Sequence, residues 1–455
     1  MLLKSPWEPY LVAMDAQPSE RLVRALADDI LEGRLAANDR LPPHRDVAYR
    51  LGIGVGTVTK AYAILERRGL IRSERGRGTF VTTIPRTTEA MIDLSVNTPP
   101  RLIGERMLAK TLMNIARDID VDLFARYPPD AGHIEHRRQM AQWLTGLGMH
   151  VKVEQLLLCN GAQQALAVAF AVASKPGGTI ITESQTYPGA IALTRHTFYQ
   201  LKGIETDREG MRPEALDDAL DRASGGVVYV TPTMQNPTTA TMGERRRLEI
   251  SDVCRKHEAL IVEDDVYSLG SSGFPPLAML APERTFYVNS LSKTVSPGLR
   301  IGCLVAPPSH IDKAEAALSA TSSTMSPFSC AVMTEWLVSG IAQTVRTSIK
   351  VESSRRLDLA RSYLGEVAVF PDHEGFHIWF PMSHHGAESF VAANLAVGIR
   401  VTPPTATKVD PNANDGGVRL CVGGPELPDL TTALEKLSVI LKNSGKPEQP
   451  QRSYV

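Results

Sequence analysis

The chain has few cysteines and no pattern among them. Cys159, Cys254, Cys303, Cys330 and Cys421 are odd in number, widely scattered and without a CxxC pair. That excludes a disulfide framework and a zinc-ligand set, so no metal is expected, and it implies reduced thiols in the cytoplasm. Long apolar runs are also missing. The most apolar stretch, 162–174, is too short to cross a bilayer and opens on Gln163 and Gln164, so it is expected as a buried helix, with no membrane association. The first ten residues, MLLKSPWEPY, have neither an apolar core nor a small-residue cleavage site, which argues against a signal peptide. Net charge is scarce as well. At −1 overall the chain is no polyelectrolyte, so any affinity for nucleic acid must come from a local patch. No internal repeat or low-complexity block is visible. What remains is 455 residues of ordinary globular composition, too many for one core, so two or three domains are expected.

Residues 7–81 read as a small domain of their own. Leu22, Leu26 and Ile30, with Val23 and Ala27, give a helical stripe within 19–35. Pro42-Pro43 punctuates the chain, 45–51 is a short second helix, and Gly52-Ile53-Gly54 makes a turn. Val55, Val58, Tyr62 and Leu65 then form the buried face of a third helix. Two short strands, 70–73 and 79–81, flank Glu74-Arg75-Gly76-Arg77-Gly78. Three helices and a hairpin make a winged helix-turn-helix. Between 17 and 82 there are twelve Lys and Arg against eight Asp and Glu, a basic excess that the whole chain does not share. On the third helix Thr57, Thr59 and Lys60 lie off the apolar stripe. Short polar side chains allow close approach to a major groove, and a cation suits phosphate. Arg75 and Arg77 on a glycine-flexed tip suit a phosphate row or a narrow minor groove.

A polar link, 82–91, leads to a second pattern over 92–441. Apolar, β-rich runs recur at 155–159, 179–182, 226–231, 259–263, 285–289 and 301–306, mostly separated by helical stretches. That alternation implies an α/β large lobe, about 120–306, built on a mostly parallel sheet with helices on both faces. A smaller α+β lobe follows over about 307–441, and 442–455 is expected as a disordered tail.

The chemistry concentrates around Lys293. A lone lysine is ordinarily a surface cation, but this one stands in Ser290-Leu291-Ser292-Lys293, with Arg300 after it and Glu263-Asp264-Asp265-Val266-Tyr267 before it. An amine that attacks a carbonyl must first shed its proton. Ser290, Ser292 and the fork of Arg300 suit a phosphate. Gly161-Ala162-Gln163 opens the apolar helix directly after a strand, where free amides bind anions. Asp264 closes another strand and suits a protonated ring nitrogen. Tyr267 and Asn236 suit a ring hydroxyl, and Tyr187 offers a flat face for stacking. Ser290-x-x-Lys293 also fits an acyl-serine motif, but its companion SDN and KTG elements do not occur in the chain.

Two resemblances follow. Leu41-Pro-Pro-His-Arg-Asp-Val-Ala-Tyr-Arg-Leu-Gly, Thr57-Val-Thr-Lys-Ala-Tyr and Arg75-Gly-Arg-Gly-Thr-Phe-Val closely resemble the GntR-type winged helix. The resemblance implies contacts to double-stranded promoter DNA from Arg45, the start of the third helix and Gly76 in the wing. The chain departs at Gly54-Val55-Gly56, where that family usually has a serine and an arginine. From 92 to 441 the motifs resemble the aspartate-aminotransferase-like, fold-type I proteins that use pyridoxal 5'-phosphate. That resemblance implies a Schiff base at Lys293, pairing of Asp264 with the ring nitrogen, and Asn236 and Tyr267 at the ring oxygen. It implies a phosphate held by Gly161, Ala162, Gln163, Ser290, Ser292 and Arg300. It also implies Arg419 at an effector carboxylate, and Tyr127 reaching the phosphate of a partner subunit in a homodimer. Asn236-Pro237-Thr238-Thr239 departs by lacking the glycine usual after such an Asn-Pro-Thr. The fusion resembles the MocR group of transcription regulators, which implies a regulator sensing an amino acid or amine. The alternative is a catalytically active aminotransferase carrying an accessory DNA-binding domain.

Overall fold

The structure, a computed structural model, describes residues 5–12, 16–31, 34–36, 38–67, 70–74, 77–82, 91–118, 120, 122–223, 226–269, 273–321, 325–372, 374–413 and 416–443. The chain divides into two compact units, 1–90 and 91–455. Most of the expected link, 83–90, and of the expected tail, 444–455, lies outside the described residues.

The first unit contains helices α1 (Pro18–Leu31), α2 (His44–Leu51) and α3 (Val55–Arg67), then a hairpin of β1 (Ile71–Glu74) and β2 (Gly78–Val81). The hairpin register sets Ile71 opposite Val81 and Glu74 opposite Gly78. Leu22, Leu26, Val47, Val58, Leu65 and Ile71 close one core, joined by Trp7 from the segment ahead of α1. Gly52 ends α2 in the left-handed region, φ 62°, the conformation that suits glycine at a helix stop. The glycines here therefore make a turn. Val55 departs from the expected buried face. It is 46% exposed because it is the first residue of α3 and precedes the stripe that packs inward.

Asp29 on α1 is buried, yet its carboxylate accepts from Trp7 Nε1 at 2.8 Å, Tyr10 Oη at 3.1 Å and Arg34 Nε at 2.6 Å. Burial alone raises such a carboxyl, but these donors outweigh it and hold Asp29 below the usual range. A depressed native pKa contributes stability that is complete above the unfolded value of about 3.9 and is lost as pH falls through the native value. Replacing Asp29 by Ala is expected to destabilise this unit by about 1–3 kcal/mol at neutral pH. The difference from wild type should shrink in acid, as read by thermal unfolding across pH.

The second unit is built on a seven-stranded sheet. Its strands are β3 (Leu156–Cys159), β4 (Thr179–Glu183), β5 (Gln200–Ile204), β6 (Val227–Val230), β7 (Leu260–Asp264), β8 (Thr285–Ser290) and β9 (Gly302–Val305). They lie in the order β3-β9-β8-β7-β6-β4-β5. Only β9 runs antiparallel to its neighbours. Both faces are covered: Tyr229, Val262 and Phe286 pack with helix α4 (Ala162–Ala173) on one side, and Val228, Ile261 and Ile181 pack with Leu216 and Ile250 on the other. Burial on both faces is why these strands read as continuous apolar runs. The edge strand β5 was not expected. Gln200 is exposed and Lys202 half-buried, so no such run marks it.

A second group of elements follows. Strand β10 (His377–Pro381) pairs antiparallel with β11 (Gly417–Cys421), setting Trp379 opposite Arg419. Ahead of β10 the chain adds one isolated antiparallel bridge, Val369 to Trp379. Ile92–Asp93 pairs parallel with Ile399–Arg400, so the first residues of this unit join its last elements. Helices Ile341–Leu364, His384–Ala396 and Leu427–Asn443 share one apolar core with these strands. Among the described residues no helix is long and apolar enough to cross a membrane.

Candidate functional site

Strands β4, β6, β7 and β8 run parallel, and their C-terminal ends share one edge, where open α/β sheets take their ligands. Asp264 ends β7, Ser290 ends β8, Thr231 follows β6, and Gly161 precedes α4 just beyond β3. A pocket of about 630 Å³, counting its open mouth, lies there. Ala162, Gln163, Tyr187, Asn236, Asp264, Tyr267, Ser290, Ser292, Lys293 and Arg300 line it, all of them expected from sequence, together with Thr231, Val266 and Pro297, which were not.

Asp264 is 3% exposed. Its Oδ2 accepts from Tyr229 Oη at 2.9 Å, while Oδ1 has no partner among the described residues. Burial pushes its carboxyl up to about 6, against the Tyr229 hydrogen bond. Lys293 stands on the one-turn helix Leu291–Thr294, which the Ser290 hydroxyl caps by accepting from Ser292 N at 3.1 Å. Ser290 therefore both lines the pocket and aims the lysine. Burial brings the Lys293 ammonium down to about 8, with Arg419 adding to that and Asp264 opposing it. Its Nζ donates to the Asn97 carbonyl and lies 5.7 Å from the Tyr267 ring centre.

The anion cradle depends on two glycines. Gly161 has φ 80°, and a Cβ there would meet Arg300 Nη2 at 2.8 Å. A Cβ at Gly302 would meet the carbonyl carbon of Gly161 at 2.6 Å and the nitrogen of Ala162 at 2.8 Å. Strand β9 thus lies against the start of α4, and Arg300 reaches across Gly161. Gln163 donates to Gly189 O at 2.8 Å, beside Tyr187.

Arg419 is reached through Asn236. Its Nη1 donates to Asn236 Oδ1 at 2.6 Å and its Nη2 to Ser95 O at 2.9 Å, while Nε is buried without a partner among the described residues. Asn236 Nδ2 and Asn97 Nδ2 both donate to Tyr267 Oη, at 3.0 Å and 2.9 Å. Tyr127 is 90% exposed and does not line this pocket. Sequence reasoning missed Tyr229, Asn97 and His377. Tyr229 left one trace, a lone phenol inside the apolar run VVYV.

The free Asp264 oxygen, the buried low-pKa amine and the glycine-lined cradle with its guanidinium fit an electron-poor phosphorylated pyridine aldehyde. The fit rests on an acceptor for a ring N–H, a nucleophile for the carbonyl and donors for the phosphate.

In the first unit Arg45, Thr59 and Lys60 are exposed and Thr57 is half-buried. Thr59 is already engaged, donating to Val55 O at 3.0 Å and meeting His44 Nδ1 at 3.1 Å. Arg77 is exposed and pairs with Glu74 at 3.1 Å. Arg75 and Gly76 lie outside the described residues.

A mixed seven-stranded sheet with a lysine and a buried aspartate at its strand ends is the architecture of aminotransferase fold type I, here accompanied by a winged helix-turn-helix. Residues 89–437 match the family Aminotransferase class I and II, and residues 18–81 match Bacterial regulatory proteins, gntR family. The chain belongs to the aminotransferase class I and II family and carries a GntR domain ahead of it. It is 26% identical over 448 residues to the Uncharacterized HTH-type transcriptional regulator YdeF of Bacillus subtilis, covering 96% of each chain. It is 28% identical to the Probable rhizopine catabolism regulatory protein MocR of Rhizobium meliloti, covering 66% of this chain and 67% of that one. Among solved structures it resembles LysN, the α-aminoadipate aminotransferase of Thermus thermophilus complexed with N-(5'-phosphopyridoxyl)-L-leucine. The TM-score is 0.68 at 22% identity, over 80% of this chain and 95% of that one.

With the Lys293 pKa brought down to about 8, borohydride trapping of an added aromatic aldehyde on the cofactor-free protein should rise about tenfold from pH 6 to pH 7 and level off above pH 8. Gly302→Ala should weaken retention of pyridoxal 5'-phosphate on dialysis at least about tenfold, because the new methyl meets backbone rather than a movable side chain.

Proposed function

We propose that the chain is a pyridoxal-phosphate-dependent transcriptional regulator acting in the cytoplasm. The winged helix binds promoter DNA, and the aminotransferase-like domain senses an amino acid or other amine. The observation that carries the cofactor assignment is the buried Asp264 with one oxygen committed to Tyr229 and the other free. Pyridoxal 5'-phosphate, when bound, supplies an aldehyde that combines with amines and a ring that withdraws electrons from them. Asp264 holds the ring nitrogen's proton at Oδ1, and Tyr229 fixes the carboxylate plane. Arg300 and the amides at the start of α4 hold the phosphate, with Ser292 at the pocket wall. Lys293, whose ammonium burial brings down to about 8, would supply the neutral amine that combines with the aldehyde, and the Asn97 carbonyl that its Nζ already touches would hold that amine through an N–H when it is released. Arg419 binds the effector carboxylate, exchanging its bond to Asn236 for a charge-assisted pair.

Regulation requires the effector to prefer one of two arrangements. Exchange of Arg419 partners supplies that preference, since Ser95, Asn236 and Thr402 all answer to this one guanidinium. The reading includes a homodimer. Tyr127, exposed in its own chain, reaches a partner's phosphate, and two winged helices read two half-sites. The name of the MocR relative, a catabolism regulatory protein, supports the regulatory role.

The alternative, an active aminotransferase with an accessory DNA-binding domain, is favoured by one observation. Lys293 and Asp264 line one pocket, and Arg419 bonds Asn236 in its wall. Multi-turnover assays with common amino-acid and keto-acid pairs separate the two readings: the regulator shows no robust turnover, and sustained turnover sinks the regulator reading.

Purified protein supplied with pyridoxal 5'-phosphate should be yellow, and Lys293→Ala should lose the borohydride-fixed adduct in a mass spectrum. Arg45→Ala and Thr57→Ala should weaken binding to the promoter beside the gene. The arginine change should also lower the salt slope by about 1. Unchanged binding would remove α2 and α3 from the DNA-reading face.

A further inference from the structure

The oxygen of Tyr267 lies between two side-chain amides, and chemistry decides which way each amide faces. Asn236 meets Arg419 Nη1 at 2.6 Å. A guanidinium only donates, so Asn236 must turn Oδ1 toward it. That leaves Nδ2 for Tyr267 Oη, 3.0 Å away. Asn97 meets His377 Nδ1 at 3.0 Å, and the other ring nitrogen of His377, Nε2, lies 3.2 Å from Gln235 O. A carbonyl only accepts, so Nε2 carries the ring hydrogen. His377 is fully buried. Burial, then the nearby Arg419 and Lys293 cations, keep its imidazole neutral, outweighing the Gln235 carbonyl. Nδ1 is therefore a bare acceptor, and Asn97 must present Nδ2 to it. The two hydrogens of that nitrogen serve His377 and Tyr267 Oη, the latter at 2.9 Å.

Tyr267 Oη thus receives two N–H donors. A phenol oxygen accepts two hydrogen bonds and donates one. No acceptor for its own hydrogen stands among the described residues, and the ring lines the pocket. The hydrogen is left to point inward.

We propose that His377 and Asn97 are positioning residues: the tautomer of one sets the amide of the other, and together they commit Tyr267 to donating its hydroxyl hydrogen to an anionic oxygen of the ring ligand. The proposal rests on the reading of the pocket as a pyridoxal-phosphate site. Its consequence is electronic. A donor held on that oxygen draws charge away from the neighbouring nitrogen supplied by Lys293, which then holds its proton less tightly. Removing the commitment raises the pH at which that proton leaves.

The test is a pH titration of the near-visible absorption of the full-length protein loaded with pyridoxal 5'-phosphate. Asn97→Asp gives the phenol hydrogen an acceptor inside the protein and takes it from the ligand, so the midpoint should move up by about one pH unit or more. His377→Leu frees the Asn97 amide to turn over and should move the midpoint in the same direction. Asn97→Ala removes a donor without offering an acceptor and should move it less than either. If Asn97→Asp does not fold, the comparison of His377→Leu with Asn97→Ala decides the matter. A coloured wild type whose midpoint is matched by Asn97→Asp and His377→Leu, or exceeded most by Asn97→Ala, overturns the proposal alone. A wild type that takes up no pyridoxal 5'-phosphate overturns the pocket assignment and the proposal with it.

Discussion

A carboxylate removed from water must be repaid in hydrogen bonds or a counter-charge, and Asp264 is repaid on one oxygen only. It ends a central strand, 3% exposed, with the Tyr229 hydroxyl on Oδ2 and no partner among the described residues on Oδ1. The rest of the site is arranged around that half-satisfied group. Lys293 is buried nearby, with its ammonium destabilised by the same burial that raises the Asp264 carboxyl. A cationic ring nitrogen satisfies the acid, and a carbonyl consumes the amine, so one ligand meets both needs.

A second device links distant parts of the unit. Arg419 on β11, Asn236 after β6, Tyr267 after β7, Asn97 near the unit's start and His377 on β10 form a run of hydrogen bonds that returns through Gln235 to the residue beside Asn236. The members are neutral or cationic donors matched to acceptors, so each fixes the orientation of the next. A ligand that drew Arg419 away from Asn236 would perturb the whole run. This is a physical means by which occupancy of a small pocket reaches the strands of the C-terminal group.

The parts of this architecture that were legible in the sequence are those where chemistry and chain order coincide. Lys293 lies three residues from Ser290, and Asp264 lies three from Tyr267, so short motifs exposed them. Strands buried on both faces announced themselves as apolar runs, whereas β5, at the sheet edge with Lys202 in its middle, did not. The second ring of residues was hidden for a different reason. Asn97 reaches Tyr267 across 170 positions and His377 across 280. An isolated asparagine or histidine has no spacing signature, and only the fold brings them together. The same holds for Arg419, visible as an arginine on a strand but not as the partner of Ser95 and Thr402.

The most direct measurement is a crystal structure of the protein grown with pyridoxal 5'-phosphate. The account predicts density continuous with Lys293 Nζ, a ring nitrogen within hydrogen-bond distance of Asp264 Oδ1, and a phosphate between Arg300 and the first turn of α4. A pocket that stays free of the compound at saturating concentration, or one that seats it with the ring nitrogen turned away from Asp264, would contradict it.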